Sequence, residues 1–199
     1  MDCPRAEAYV LDQLRHLPAD LSYHGRHHTL DVVTAVQTLA AAEGLTDPEL
    51  LALLGTAAHY HDAGFLTTYQ GHEAAGCQLA RQMLPGFGFS EVHIELICRL
   101  IMATQMPQSP GPEPLARLLC DADLDYLGRP DYWPISQTLR QELAARGQAY
   151  DKRGWLELQQ EFLSQHRYWT AAATRLREPQ KQLRLAEVRA ALAELAAAG

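Results

Sequence analysis

The sequence predicts an all-α fold, and three observations carry that prediction. Apolar residues recur every three or four positions through each long segment, no segment sustains the period-two alternation of a strand, and capping residues and prolines fall where such helices would start and stop. The first helix is expected over about 5–17, halted by Pro18. The second starts near His27 and runs through "TLDVVTAVQTLAAAEG", with Val32, Val36 and Leu39 on one face and Gly44 as its stop. Asp47 and Pro48 form a cap and first-turn pair that opens a third helix, "ELLALLGTAAHYHDAG", ending at Gly64. Further helices are expected over about 72–84, 90–104 with Ser90 as cap, 114–124, 131–146, 152–176 and 180–197. Pro179 in "REPQK" divides the last two. "MPQSPGPEP", 106–114, holds four prolines and reads as an irregular connection over the mouth of a site. In the terminal segment, Leu185, Val188, Leu192 and Leu195 are spaced as a packing seam, which seals the same bundle or a homodimer.

Composition narrows the function classes. A chain of 199 residues with 47% hydrophobic and 21% charged residues has the make-up of an ordinary globular domain. A formal net charge of -7 argues against a nucleic-acid polymer as partner, because displacing counterions needs clustered cations. No apolar run reaches the roughly eighteen residues of a membrane span, and the first dozen residues mix charges where a secretory signal would be apolar. Cys3, Cys77, Cys98 and Cys120 are isolated, without a CxxC pair. A cytoplasmic location, no membrane and a small-molecule ligand are the expectations that follow.

The chemistry concentrates in two windows, "YHGRHHTLDVV" at 23–33 and "AAHYHDAGF" at 57–65, which together hold five of the nine histidines. His24 and His28 are four apart and project from one side of a helix entry, while His27 points away. His61 and Asp62 are neighbours and diverge on a regular helix, yet both can face one ion at a helix end, which Gly64 supplies. Imidazole nitrogen with carboxylate oxygen suits divalent manganese, iron, cobalt or zinc. A further ligand is required, and "LLCDADLDYLG" at 118–128 offers Asp121, Asp123 and Asp125.

Taken in order, His28, then His61 with Asp62, then Ala122 to Asp125 resemble the signature of the HD superfamily of metal-dependent phosphohydrolases, which are all-helical. The likeness runs from about Tyr23 to Gly128 and includes "GHEAAG" at 71–76. It points to a small bacterial single-domain subgroup, of which "LLCDADLDYLG", "FLSQHRYWT" and "LREPQKQ" read as motifs. The domain is then expected over 1–178, with 179–199 as a C-terminal helix packed on it or on a dimer partner. The resemblance implies one divalent ion (Mn, Fe, Co, Zn or Mg), or a second beside it, held by His28, His61, Asp62 and Asp123, with Asp121 as the rival last ligand.

The resemblance also assigns roles. His24 matches a histidine that protonates the leaving oxygen in the cyclic-nucleotide phosphodiesterase branch, although Gly25 stands where that branch has Asn. Asp62 would also take a proton from water, and Asp31 would orient an imidazole or sit as a solvated charge. His72 stands where two-metal branches supply another histidine. Residues 97–108 lack the histidine that usually accompanies it, which favours one ion, with His72 as a substrate contact or part of a second site. Arg26 and Arg99 are the candidate phosphate contacts, with Lys152 and Arg153 behind them, and Tyr23, Tyr60 and Tyr69 could stack on a base. The expected activity is hydrolysis of a phosphoester in a small phosphorylated molecule, a nucleotide or cyclic nucleotide above all. The alternatives are a di-iron oxygenase of the same fold and a metal-binding regulatory module without turnover.

Overall fold

Nine α-helices and no strand make up the described residues, 1–197, of the computed structural model. The chain divides into two compact units, Met1–Asp123 and the remainder from Leu124. The first contains α1 (Cys3–Gln13), α2 (Arg26–Ala42), α3 (Pro48–Tyr60), α4 (His72–Met83), α5 (Glu91–Ala103) and α6 (Pro114–Asp123). The second contains α7 (Tyr132–Ala145), α8 (Lys152–Gln165) and α9 (Ala171–Ala197). No described helix is long and apolar enough to cross a membrane.

Local chemistry sets the helix starts in the first unit. The Asp47 carboxylate accepts the backbone N–H groups of Glu49 at 2.9 Å and Leu50 at 3.1 Å, and Pro48 occupies the first turn, where a missing N–H costs nothing. The Ser90 hydroxyl accepts the His93 N–H while His93 Nδ1 accepts the Ser90 N–H, so a histidine closes the capping box that opens α5. His93 is therefore a structural residue, and its Nε2 also meets Glu49 at 3.1 Å. α1 ends earlier than its sequence pattern suggests, because Leu14–His16 tighten into a 3-10 turn before Pro18 is reached.

Helix α3 is the centre of this unit and packs against α1, α2 and α5. Its second half, Thr56 to Tyr60, is buried without interruption, as expected of a helix surrounded by others. Tyr60 belongs to that core: it is 0% exposed and donates its hydroxyl to the Ala6 carbonyl at 3.1 Å, so it is not available to stack on a ligand. Tyr23 is likewise buried. His59 bonds its own helix through Nδ1 to the Gly55 carbonyl at 2.8 Å.

In the second unit α8 packs along α9, and α9 also packs on the 3-10 turn Asp125–Gly128. Asp125, 2% exposed, accepts from Arg177 Nε at 2.6 Å and lies 3.6 Å from Arg129. Its cation is thus an arginine of "LREPQKQ". The division at Pro179 does not occur. The helical break falls at 166–170, and α9 runs through Pro179 without ending. An interior proline costs about 3 kcal/mol, and the buried side chains on its far side, Lys181, Leu185 and Val188, supply the packing that offsets it. Lys181 donates to the His166 carbonyl at 2.6 Å and meets Glu178 at 2.8 Å. Leu185 and Val188 are buried within the chain, whereas Leu183 is exposed.

Candidate metal centre

Three helix ends in the first unit converge on one point. His28 sits in the first turn of α2, His61 and Asp62 follow the last turn of α3, and Asp123 is the last residue of α6. The backbone explains how two adjacent residues share a target. His61 keeps helical angles, but Asp62 turns out of the helix at φ -100°, ψ 4°, so its carboxylate swings back beside the His61 ring. Next along the chain, Gly64 lies against the first turn of α4, bringing His72 to the same place.

His28, His61 and Asp123 each present one ligand atom, and these atoms all lie within 4.8 Å of one another. Asp123 Oδ1 is 3.2 Å from His28 Nε2 and 3.7 Å from His61 Nε2. Asp62 Oδ2 is 3.5 Å from His28 Nε2 and 3.2 Å from His61 Nε2. Its other oxygen, Oδ1, faces His72 Nε2 at 3.4 Å. His72 Nε2 also lies 3.5 Å from the buried Glu73 carboxylate. Asp121 and Asp125 are not in this group; Asp121 is 0% exposed.

The donor set fits a divalent cation. His61 Nδ1 is engaged by the Ala58 carbonyl at 2.7 Å, which fixes the ring and leaves Nε2 facing the carboxylates. That Nε2 and Asp62 Oδ2 are buried and face each other at 3.2 Å without the alignment of a hydrogen bond, a gap that one ion between them would fill. Two imidazole nitrogens with two carboxylate oxygens suit manganese, iron, cobalt or zinc.

Electrostatics agree with this assignment. Burial opposes charge on His61, but the Asp62 carboxylate, joined by Asp123 and the Ala58 carbonyl, outweighs it and raises the imidazole pKa to about 9. Burial likewise works against the charge on Asp62, and His61 and His72 more than compensate, holding the carboxyl well below its usual range. Near neutral pH a proton on His61 therefore occupies the position a metal would take, and an ion must displace it. Zinc or manganese affinity should rise by up to about tenfold per pH unit from pH 6.5 toward pH 9. Calorimetry in buffers of different ionisation enthalpy would read about one proton released per ion; a pH-independent affinity would exclude this competition. Stability of the chelated protein should run the other way. The His61 contribution is complete below its unfolded value of 6.5 and is lost as pH climbs through about 9.

Around the cluster lies a stack of rings. Phe65 packs against both His72, with centroids 3.9 Å apart, and His24, at 4.5 Å, and the two imidazoles are themselves 6.1 Å apart. Tyr69 meets both Phe65 and His24 edge-on and is half-buried, so it is the one of the three candidate tyrosines with an accessible face. The Pro-rich connection also reaches the cluster. Gln108 donates through Nε2 to Asp123 Oδ2 and to the Cys120 carbonyl, both at 3.2 Å, and so fixes the carboxylate rotamer. Gln108→Ala should weaken metal binding by roughly 10- to 100-fold, the usual cost of losing a group that orients a ligand. A competitive chelator titration measures this, and an unchanged affinity would remove Gln108 from the site.

The remaining sequence candidates are distributed as follows. Arg26 is exposed at the start of α2, and Asp31 lies partly exposed one turn beyond. Arg99 is exposed on α5, where it lines a cleft of about 550 Å³ whose walls include none of the cluster residues. Lys152 and Arg153 are exposed in the first turn of α8. Phe65, Glu73 and Gln108 were not anticipated. Phe65 closes the "AAHYHDAGF" window and Glu73 sits beside His72, but no local pattern marks Gln108 as a partner of Asp123.

No family model and no curated protein matches the chain. Among solved structures, the chain is similar to a predicted HD superfamily hydrolase from an uncultured Thermotogales bacterium, with a TM-score of 0.60 over 94% of this chain and 92% of that one. Identity is 18%, so the likeness is one of fold. The chain has the all-α HD-domain fold.

Proposed function

We propose that the protein is a metal-dependent phosphohydrolase acting on a small phosphorylated substrate, with a nucleotide or cyclic nucleotide as the favoured class. The observation that carries this reading is the convergence of His28, His61, Asp62 and Asp123 in a buried cluster on the fold of an HD superfamily hydrolase. His28, His61, Asp62 and Asp123 would hold a divalent ion, which would supply Lewis acidity toward a phosphoryl oxygen and lower the pKa of a water molecule.

The side chains have separable tasks. Asp62 divides its carboxylate between the cluster through Oδ2 and His72 through Oδ1, so it can accept a proton and pass it to His72. His24, held flat against Phe65, is the group we assign to protonate the leaving oxygen. Arg26, exposed near the start of α2, is assigned to the phosphate and the ring of Tyr69 to a base. Hydrolysis of this kind needs positioning and a proton donor, with no covalent intermediate on the protein.

The placement of His72 on the second oxygen of Asp62 also supports a reading with two ions, including the di-iron oxygenase. The two readings separate in one experiment. The protein is chelated, returned to manganese or to ferrous iron, and assayed for phosphate or nucleoside release across a panel of nucleotides, cyclic nucleotides and sugar phosphates, with oxygen uptake followed in parallel. Metal-dependent release without oxygen consumption supports the hydrolase. Oxygen uptake with two irons per chain, or silence across the panel from folded, metal-loaded protein, would overturn it.

A further inference from the structure

The four cysteines do not share one environment. Cys120 is buried and donates its thiol to the Ala103 carbonyl at 3.1 Å, and Cys3 is partly exposed at the start of α1. Cys77 on α4 and Cys98 on α5 are instead paired across the contact between those helices. Cys77 Sγ lies 3.4 Å from the Cys98 carbonyl oxygen, and Cys98 Sγ lies 3.7 Å from the Cys77 carbonyl oxygen. Each sulfur is thus packed against the backbone of the other residue, side by side across the helix contact. Each residue is only 3% exposed, yet both line the open cleft between α4, α5 and the start of α6. Arg81, at the same cleft, is held by two hydrogen bonds to Glu95, at 3.0 and 3.2 Å.

We propose that Cys77 and Cys98 form a peroxide-oxidised dithiol site, in which Cys98 is the attacking sulfur and Cys77 resolves the product into a disulfide that joins α4 to α5. The roles follow from the asymmetry of the pair. A hydrogen bond from the Cys77 thiol, with the charge of Arg81 assisting, lowers the Cys98 pKa against the effect of burial. The same hydrogen bond and burial raise that of Cys77. A sulfur that ionises more readily than the thiol beside it is the arrangement in which one attacks and the other waits. In the first step the Cys98 sulfur bonds to one peroxide oxygen and the O–O bond breaks. Hydroxide leaves, takes up a proton as water, and Cys98 becomes a sulfenic acid. The Cys77 sulfur then attacks Cys98; the S–S bond forms, the S–O bond breaks, and a second water leaves with the Cys77 proton. Two thiols lose two electrons to one hydrogen peroxide, and a reducing thiol reverses the bond. The disulfide would fasten α4, whose first residue His72 touches Asp62.

The test uses the full chain treated with hydrogen peroxide and then denatured for thiol counting and peptide mapping. Two of the four thiols should disappear, the intact mass should fall by two hydrogens, and a cross-linked peptide containing Cys77 and Cys98 should be recovered and then lost on adding dithiothreitol. In Cys77→Ser, a sulfenic acid should accumulate on Cys98 and be trapped by dimedone, while far-ultraviolet circular dichroism reports that the fold is kept. Survival of all four thiols, oxidation confined to Cys3, or a disulfide with any other partner would overturn the site. Dimedone trapped on Cys77 in Cys98→Ser at the rate of the reverse variant would overturn the assignment of roles.

Discussion

Asp62→Ala should abolish both metal retention and metal-dependent turnover, while leaving the helical fold in place. Asp62 approaches His28, His61 and His72 together, at 3.5, 3.2 and 3.4 Å. Its removal should therefore cost more than the roughly 100-fold loss in affinity or activity that follows deletion of a mere orienting partner. A second effect is specific to this residue. The Asp62 carboxylate is the main group holding a proton on His61 against burial, so in Asp62→Ala the imidazole should titrate far below about 9. Proton-detected nitrogen spectra of the histidine rings would follow it. Retained stoichiometric metal with full activity, or a His61 titration left near 9, would refute the assigned geometry. Asp62→Asn separates charge from shape. It preserves the side-chain volume but carries no charge, and it should resemble Asp62→Ala if charge is what matters.

Gly64→Ala should be the most damaging small substitution in the first unit. A Cβ at this position would lie 1.8 Å from the His72 carbonyl oxygen and 2.7 Å from the Gly76 nitrogen. Both are backbone atoms, so no side chain can move aside, and α4 must retreat as a body. A cost above about 4 kcal/mol is expected, in the range reserved for named defects of this kind. Two comparison variants scale it. Gly76→Ala meets the Tyr60 carbonyl at 3.2 Å and should cost about 1–3 kcal/mol, whereas Gly86→Ala meets nothing within 4 Å and should stay within about 0.5 kcal/mol. Urea unfolding of the three variants would rank them. Gly64→Ala with wild-type stability would mean that α4 does not pack on the turn after Asp62 as described.

How far the sequence revealed this protein depended on whether the information was local. Asp47 with Pro48, and Ser90, announce helix starts because a cap is a contact between near neighbours in the chain. His61 and Asp62 were legible for a similar reason, since a dipeptide before a glycine can be read directly. The conformation that lets both face one point, the turn of the backbone at Asp62, was foreseen only as a helix end. Pro179 was misleading. Local propensity breaks a helix there, but burial of Lys181, Leu185 and Val188 overrides it. Arg99 illustrates another limit: spacing identifies an exposed cation on α5 but cannot say which cavity its face lines. Gln108 and Asp123 are fifteen residues apart and joined only by tertiary folding, so nothing in "MPQSPGPEP" foretells their contact. The same holds for Asp125 and Arg177, separated by 52 residues.

The 3.2 Å contact between His28 and Asp123 joins residues 95 positions apart. An unfolded chain has no comparable cluster, because its donors are scattered along nearly half the sequence. An ion bound by the proposed ligands would act as a staple on the native state alone, adding about 2.7 kcal/mol when its free concentration is a hundred times its dissociation constant. Metal supply would then govern more than reaction rate. In a cell short of the ion, the amount of folded protein would itself decline, and the scarcity of one nutrient would be recorded in the abundance of this chain.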